Sequence, residues 1–115
     1  MYSTSKLAEV ASMTCLQDYV TVAPAALVNL FGDPLDSDGY KVSGEFVFTD
    51  SDGAVVTLYD WKCTSLYDGC CENPRDFWSS PRPREFHVGG HRHKDATKFV
   101  DWLKNKLKQT PPLTC

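Results

Sequence analysis

The sequence predicts an α+β fold, in which a small three-stranded and mostly antiparallel sheet packs against two or three helices. Three observations predict it. Residues 40–62 contain two β-rich runs separated by turn residues, residues 85–88 form a short β-rich run, and residues 95–108 repeat apolar side chains at helical spacing. The chain has 115 residues, so we expect 1–115 to be a single domain with a tail at 110–115.

The clearest predicted element is a β-hairpin. The runs Tyr40 to Thr49 and Ala54 to Lys62 flank the turn sequence DSDG at 50–53. We predict a register that pairs Phe46 with Thr57 and Phe48 with Val55, because it collects aromatic side chains on one face. The other face then carries a cluster of polar side chains at the open end of the hairpin. This cluster is either a solvated set of ion pairs or part of a ligand-binding site. Its members are Lys41, Ser43, Asp60 and Lys62.

Helices are predicted on both sides of the hairpin. Residues 5–14 and residues 24–31 have apolar side chains at helical spacing, and Pro24 and Gly32 suit the two ends of the second helix. The stretch QDYVTVA between them is either a short strand or an extended connector. A third helix is expected from about Asp95 to Lys108. The predicted core consists of Phe46, Phe48, Tyr59, Trp61, Phe86, Phe99, Trp102 and Leu103.

A long connection follows the hairpin. Residues 64–84 contain three prolines, one glycine and several Ser and Asp residues, so we predict a loop with at most one helical turn near Arg75 to Trp78. Loops of this length are uncommon in small domains unless they are functional or held by apolar side chains. Tyr67, Phe77 and Trp78 are the candidates to hold this one.

Charge and composition narrow the function classes. The chain has 12 basic and 15 acidic residues and a net charge of -3, which argues against nucleic acid as a partner. No apolar run approaches the roughly 18 residues of a membrane helix, so no membrane partner is expected. The sequence begins at Met1 without the apolar centre of a secretory signal, which predicts a cytoplasmic or nucleoplasmic protein, and we expect the cytoplasm.

The five cysteines are expected to be free thiols, since their number is odd and no signal peptide is recognisable. Cys63, Cys70 and Cys71 lie near His91 and His93 in the sequence. Structural zinc sites usually contain close pairs such as C-x-x-C, and the chain has no such pair. We therefore predict neither a metal site nor a cofactor.

A candidate catalytic motif for a nuclease alternative occurs at the open end of the hairpin, at residues 60–62. Asp60-Trp61-Lys62 is similar to the acidic-x-Lys half of a metal-dependent nuclease site, which needs a second carboxylate nearby. Asp38 could supply it, whereas Asp50 and Asp52 lie at the far end of the hairpin, roughly 25 Å away. The alternative catalytic set is therefore Asp38, Asp60 and Lys62.

The candidate binding site lies in the stretch HVGGHRHKD at 87–95, which joins the third strand to the last helix. Glycines allow backbone N–H groups to approach an anion, and a helix N-terminus carries partial positive charge. If the third strand runs beside the hairpin, Lys62 and the glycine loop share one cleft. The alternative interpretation of this stretch is a turn that redirects the chain and binds no ligand. The predicted ligand-binding residues are Lys62, Gly89, Gly90, His91, Arg92 and His93.

The pairing of YDWK at 59–62 with EFHVGG at 85–90 resembles a group of small accessory proteins from phages and large DNA viruses. In that group, a hairpin ending in Tyr-Asp-aromatic-Lys precedes an aromatic-His-hydrophobic-Gly-Gly run and a short helix. The resemblance covers about residues 40–107. It implies a viral or phage accessory protein in the host cytosol, and it implies no particular activity.

We therefore expect a non-enzymatic binding protein that engages a phosphate-bearing small molecule or an acidic partner surface. The first alternative is a metal-dependent nuclease or phosphodiesterase. The second is a structural or virion component that works through protein–protein contacts.

Overall fold

The structure is a computed structural model that describes residues 2–5, 14–36 and 39–109. The predicted helix at 5–14 falls almost wholly outside these residues; Ser5, its first residue, belongs to a strand. The predicted tail at 110–115 and the candidate carboxylate Asp38 also lie outside the described residues. Among the described helices, none is both long enough and apolar enough to cross a membrane.

The described elements form an α+β fold, which confirms the predicted class. In chain order they are β1 (Tyr2–Ser5), β2 (Cys15–Val22), α1 (Pro24–Phe31), β3 (Glu45–Asp50), β4 (Val55–Tyr59), α2 (Pro74–Trp78), β5 (Arg84–Gly90) and α3 (His93–Lys108). The strands make one antiparallel sheet in the order β1-β3-β4-β5-β2.

The predicted three-stranded sheet is therefore wrong in detail, because the described part of the chain contributes five strands. The hairpin and the strand after it occupy the centre, as β3, β4 and β5. The extra strands are the two edges. β2 contains the stretch left open as strand or connector, and its Val20 and Val22 point into the core while Tyr19 and Thr21 point away. That alternation is the signal of a half-buried strand.

The predicted hairpin register is also wrong. Phe46 pairs with Leu58 and Phe48 pairs with Val56. The reason is the loop: Asp50 N donates to Ala54 O at 2.9 Å, and Gly53 N donates to Asp50 O at 2.9 Å. This leaves three loop residues ending in Gly53, whose φ of +85° is typical of a turn closed by a bulge.

The corrected register decides which side chains form the core. The inner face of the sheet packs against α1 and α3. Of the predicted core residues, Phe46, Phe48, Phe86, Phe99 and Leu103 are buried and Trp102 is half-buried against them. The prediction that Tyr59 and Trp61 lie in the core is wrong: Tyr59 lies on the outer face of the sheet, and Trp61 is 38% exposed.

The long connection contains the one predicted helical turn, α2. Asn73 caps it by accepting a hydrogen bond from Asp76 N at 2.9 Å. Phe77 is completely buried and contacts Phe86, with ring centroids 5.8 Å apart. This connection is therefore held to the core by Phe77.

Candidate binding surface

The glycine pair does not form a loop. Gly89 and Gly90 are the last residues of β5 and are paired on both sides, Gly89 with Thr57 and Leu16 and Gly90 with Val56 and Cys15. A Cβ on Gly89 would collide with Thr57 Oγ1. Glycine is therefore needed here for close packing across the outer face of the sheet.

Two of the basic residues after the glycines, Arg92 and His93, contact neighbouring groups. Arg92 forms a bidentate ion pair with Asp95. Its Nε donates to Asp95 Oδ2 at 3.0 Å, and its Nη2 donates to Asp95 Oδ1 at 3.1 Å. Because Asp95 lies in the first turn of α3, its carboxylate also meets the positive end of the helix. His93 Nδ1 lies 3.0 Å from Gln17 O, and His91 is exposed.

Lys62 lies at the other end of the hairpin from the glycines. Gly89 is level with Thr57 in the middle of β4, whereas Lys62 lies three residues beyond Tyr59, the last residue of that strand. The side chain of Trp61, however, lines a hollow of about 240 Å³ that Gly89 also lines, together with Tyr59 and Cys15. The predicted site residues are therefore not all brought together, and Trp61 rather than Lys62 lines the hollow beside Gly89.

Asp60 is completely buried. Its Oδ1 accepts hydrogen bonds from Ser43 N at 2.8 Å and Gly44 N at 3.0 Å, and its Oδ2 accepts one from Ser43 Oγ at 2.8 Å. Burial raises the pKa of this carboxyl, while the hydrogen bonds from Ser43 and Gly44 oppose that shift. Through these hydrogen bonds, Asp60 fixes residues 43–44 against the end of β4.

A continuous aromatic surface lies on the outer side of β2, β5 and the end of β4. Tyr19 contacts His87 with ring centroids 5.0 Å apart, and His87 stacks on Trp61 at 5.6 Å with an interplanar angle of 19°. Further along, Tyr67 contacts Tyr40 at 5.1 Å. Burial lowers the pKa of His87, and the charge of Glu85 opposes that shift, so burial favours the uncharged form of the ring that stacks on Trp61.

Two lysines join these rings. Lys62 Nζ lies 5.5 Å from the ring centroid of Trp61 and 5.0 Å from that of Tyr67, and Lys41 Nζ lies 5.8 Å from Trp61. Lys62 adopts a left-handed backbone conformation, with φ of +58°, and its N–H donates to Lys41 O. We call the whole set the aromatic–lysine surface. Its members are Tyr19, Tyr40, Lys41, Trp61, Lys62, Tyr67 and His87.

Exposed apolar side chains concentrate at this surface. Six large hydrophobic side chains of the described residues are exposed: Leu16, Tyr19, Tyr40, Trp61, Leu66 and Tyr67. Four of these belong to the aromatic–lysine surface, and Leu66 precedes Tyr67 in the chain. Leu16 lies on the same strand and the same face as Tyr19. Sequence reasoning missed Tyr19 and Tyr40; the alternation in β2 was the one available signal for Tyr19.

Within residues 2–5, 14–36 and 39–109, no group of three or more His, Cys, Asp or Glu side chains is arranged to hold a metal ion. The cysteines described there, at 15, 63, 70 and 71, are free thiols. No protein-family model matches the chain, and no curated protein matches it.

Proposed function

We propose that this chain is a non-enzymatic binding protein whose aromatic–lysine surface engages an acidic surface of a protein partner. The observation that carries the proposal is the linkage of Trp61, Tyr67 and Lys62, in which one ammonium group lies against two exposed rings. Tryptophan and tyrosine dominate the binding energy of many protein interfaces. Lysines at the rim favour an acidic partner.

The shape of the surface supports a protein partner. Its rings are spread over an open sheet face and the neighbouring loop, and a patch of exposed apolar side chains of this kind marks interaction sites on soluble proteins. Because Trp61 is stacked on His87 and flanked by lysines, it loses little side-chain freedom on binding. Such preorganisation raises affinity.

A phosphate-bearing small molecule is the second candidate ligand. It is favoured by the hollow of about 240 Å³ beside Trp61 and by the two ammonium groups near that ring. A flat base could stack on Trp61 while Lys41 and Lys62 pair with phosphate oxygens. This ligand would use Gly89 as part of the hollow rather than as an anion-binding loop.

The environment of Asp60 gives little support to the alternative of a metal-dependent nuclease. Its two oxygens already accept three hydrogen bonds in a buried setting, so a metal ion would have to displace Ser43 and Gly44. The motif resemblance supports an accessory role for a phage or viral protein in the host cytosol. The third candidate function is that of a structural or virion component that makes protein–protein contacts through the same surface.

The test is titration of ¹⁵N-labelled protein with three probes: a short peptide rich in Glu and Leu, its Gln-for-Glu analogue, and ATP. We expect the acidic peptide to shift the resonances of Trp61, His87 and Tyr19. Trp61→Ala should weaken that binding about tenfold or more. Lys62→Gly should also weaken it, without loss of stability, because glycine accepts the left-handed backbone at this position.

The control for charge compares two variants that each remove one lysine charge, Lys62→Gln and Lys104→Gln. Lys104 is exposed on α3 and lies outside the aromatic–lysine surface, so only Lys62→Gln should weaken binding of the acidic peptide. Shifts caused only by ATP would transfer the assignment to a phosphate-bearing ligand. Equal binding of the acidic peptide and its neutral analogue, or shifts away from Trp61, would contradict the proposal. Self-association that Trp61→Ala removes would favour the structural component.

A further inference from the structure

A second concave site lies on the opposite side of the molecule from the outer sheet face, between α1, the 33–36 segment and α2. It is a groove of about 550 Å³, more than twice the volume of the hollow beside Trp61. Its walls include Val28, Pro34, Pro74 and Trp78. We call it the Trp78 groove.

The groove is preformed. Trp78 Nε1 donates to Ser43 Oγ at 3.0 Å, and its ring packs on Phe46 and Phe86 at centroid distances of 5.9 and 5.6 Å. A Cβ on Gly44 would lie 2.9 Å from both Pro34 and Trp78, so glycine allows these two walls to meet. The prolines add rigidity, because their φ angles are restricted.

The polar atoms of the floor are already used inside the protein. Ser43 Oγ donates to Asp60 and accepts from Trp78, and Ser79 Oγ donates to Arg75 O at 2.9 Å. An occupant therefore finds apolar walls and few free hydrogen-bonding groups in the floor. This favours a ligand whose buried part has few hydrogen-bond donors and acceptors to satisfy.

The rim is charged and available. Asp33 and Asp36 line the groove with exposed carboxylates, and the exposed guanidinium of Arg75 lies on the same rim. Within the described part of the chain, no side-chain hydrogen bond or ion pair engages these three groups. The carboxylates suit a cation on the ligand, and the guanidinium suits a carbonyl oxygen.

We propose that the Trp78 groove binds a proline-rich peptide segment that carries a basic residue. Proline has no N–H to satisfy, and a polyproline II segment presents flat apolar rings together with unpaired backbone carbonyls. Aromatic-lined grooves recognise such segments because their conformation is already ordered. The rings would pack between Pro34, Pro74 and Trp78, a carbonyl would accept from Arg75, and the basic side chain would pair with Asp33 and Asp36.

The test uses a fluorescein-labelled peptide with one arginine and a Pro-x-x-Pro repeat, measured by fluorescence anisotropy on the full chain. We expect saturable binding that Val28→Lys abolishes, because the new side chain enters the groove. Asn29→Lys is the matched control, since Asn29 is exposed on the same helix and does not line the groove. Asp33→Asn with Asp36→Asn should weaken binding about tenfold and reduce its salt dependence.

Several outcomes overturn the proposal. They are binding that Val28→Lys leaves unchanged, equal binding of a peptide with alanine in place of proline, and the absence of saturable binding to the folded protein. Tryptamine binding in the groove without peptide binding assigns it instead to small apolar amines. Self-association that Val28→Lys removes assigns it to a second copy of the chain. Loss of acidic-peptide binding in Trp61→Ala leaves this proposal untouched, because Trp61 does not line the groove.

Discussion

At the scale of single residues, the contact between Lys98 and Asp50 joins the last helix to the hairpin turn. Lys98 Nζ lies 3.0 Å from Asp50 Oδ2. This hydrogen bond is the main reason that the pKa of Asp50 is lowered to about 2, and the hydrogen bond from Ser51 N adds to it against the effect of burial. The same contact raises the pKa of Lys98.

The Asp50 carboxylate therefore makes stability depend on pH. In the unfolded chain, its pKa is about 3.9, so the folded protein holds a proton less tightly at this site. The stabilisation is complete above the unfolded pKa and is lost as the pH falls through about 4 toward about 2. Lys98→Ala should shrink this acid-dependent loss and raise the pKa of Asp50, as measured by carboxyl NMR and urea unfolding at several pH values.

Lys104→Ala is the matched control for that experiment, because Lys104 is an exposed lysine on the same helix. It should leave both the pKa of Asp50 and the acid profile as in the wild type. Identical behaviour of the two variants would show that Lys98 does not set the pKa.

Single residues also show where sequence reasoning stopped. The residues next to Asp60 fit a catalytic pattern, and Gly89 fits an anion-binding loop because glycine lets the backbone approach an anion. Both residue types have a structural use that looks identical in the sequence: a buried carboxylate can hold backbone N–H groups, and a glycine can make room for Thr57. Burial distinguishes the structural role of such a residue from a functional one. Burial in turn depends on which parts of the chain pack against the residue in the folded protein.

At the scale of elements, the loop of the hairpin sets the faces of β3 and β4. A shift by one residue moves every side chain of a strand to the other face. The sequence of the strands tolerated two registers, since Val55, Val56, Thr57 and Leu58 are all compatible with burial. The hydrogen bonds of Asp50 with Ala54 and Gly53 select the register that places Val56 and Leu58 inside.

Gly53→Ala should destabilise the hairpin for a conformational reason alone. The φ of Gly53 is +85°, and nothing lies within 4 Å of a Cβ added there. A left-handed backbone costs an ordinary residue about 1–2 kcal/mol. We expect Gly53→Ala to lower the free energy of unfolding by about 1 kcal/mol in urea titrations, and Gly53→Asn by less, because asparagine tolerates this conformation better.

An unchanged free energy of unfolding in Gly53→Ala would mean that the loop accommodates a different backbone. In that case, nuclear Overhauser contacts between Phe46 and Leu58 would report whether the register itself had shifted.

At the scale of the whole molecule, the connection between β4 and β5 contains one completely buried ring, that of Phe77. Phe77 has no exposed surface and contacts Phe86, and the guanidinium of Arg84 lies 5.5 Å from its ring centroid. Tyr67 in the same connection is 37% exposed. The two aromatic residues therefore have different tasks, one in the core and one on the aromatic–lysine surface.

Phe77→Ala should lower the free energy of unfolding by about 3–5 kcal/mol and should speed proteolysis of the 61–83 segment, because the core contact that holds it is lost. Tyr67→Ala is the control and should cost less than about 1 kcal/mol. Urea unfolding and limited proteolysis measure both effects. Equal losses in the two variants would contradict the assignment of Phe77 as the anchor.

The sequence by itself determined the fold class, the central hairpin, the helical turn at Phe77 and the last helix, because periodicity and turn chemistry are local properties. Only the tertiary structure decided the strand at each edge of the sheet, the register, and the gathering of Tyr19, Tyr40, Trp61 and Tyr67 on one surface. Those depend on which segments pair across long separations. The same long-range pairing places Lys62 against exposed rings and leaves the glycines packed inside a strand.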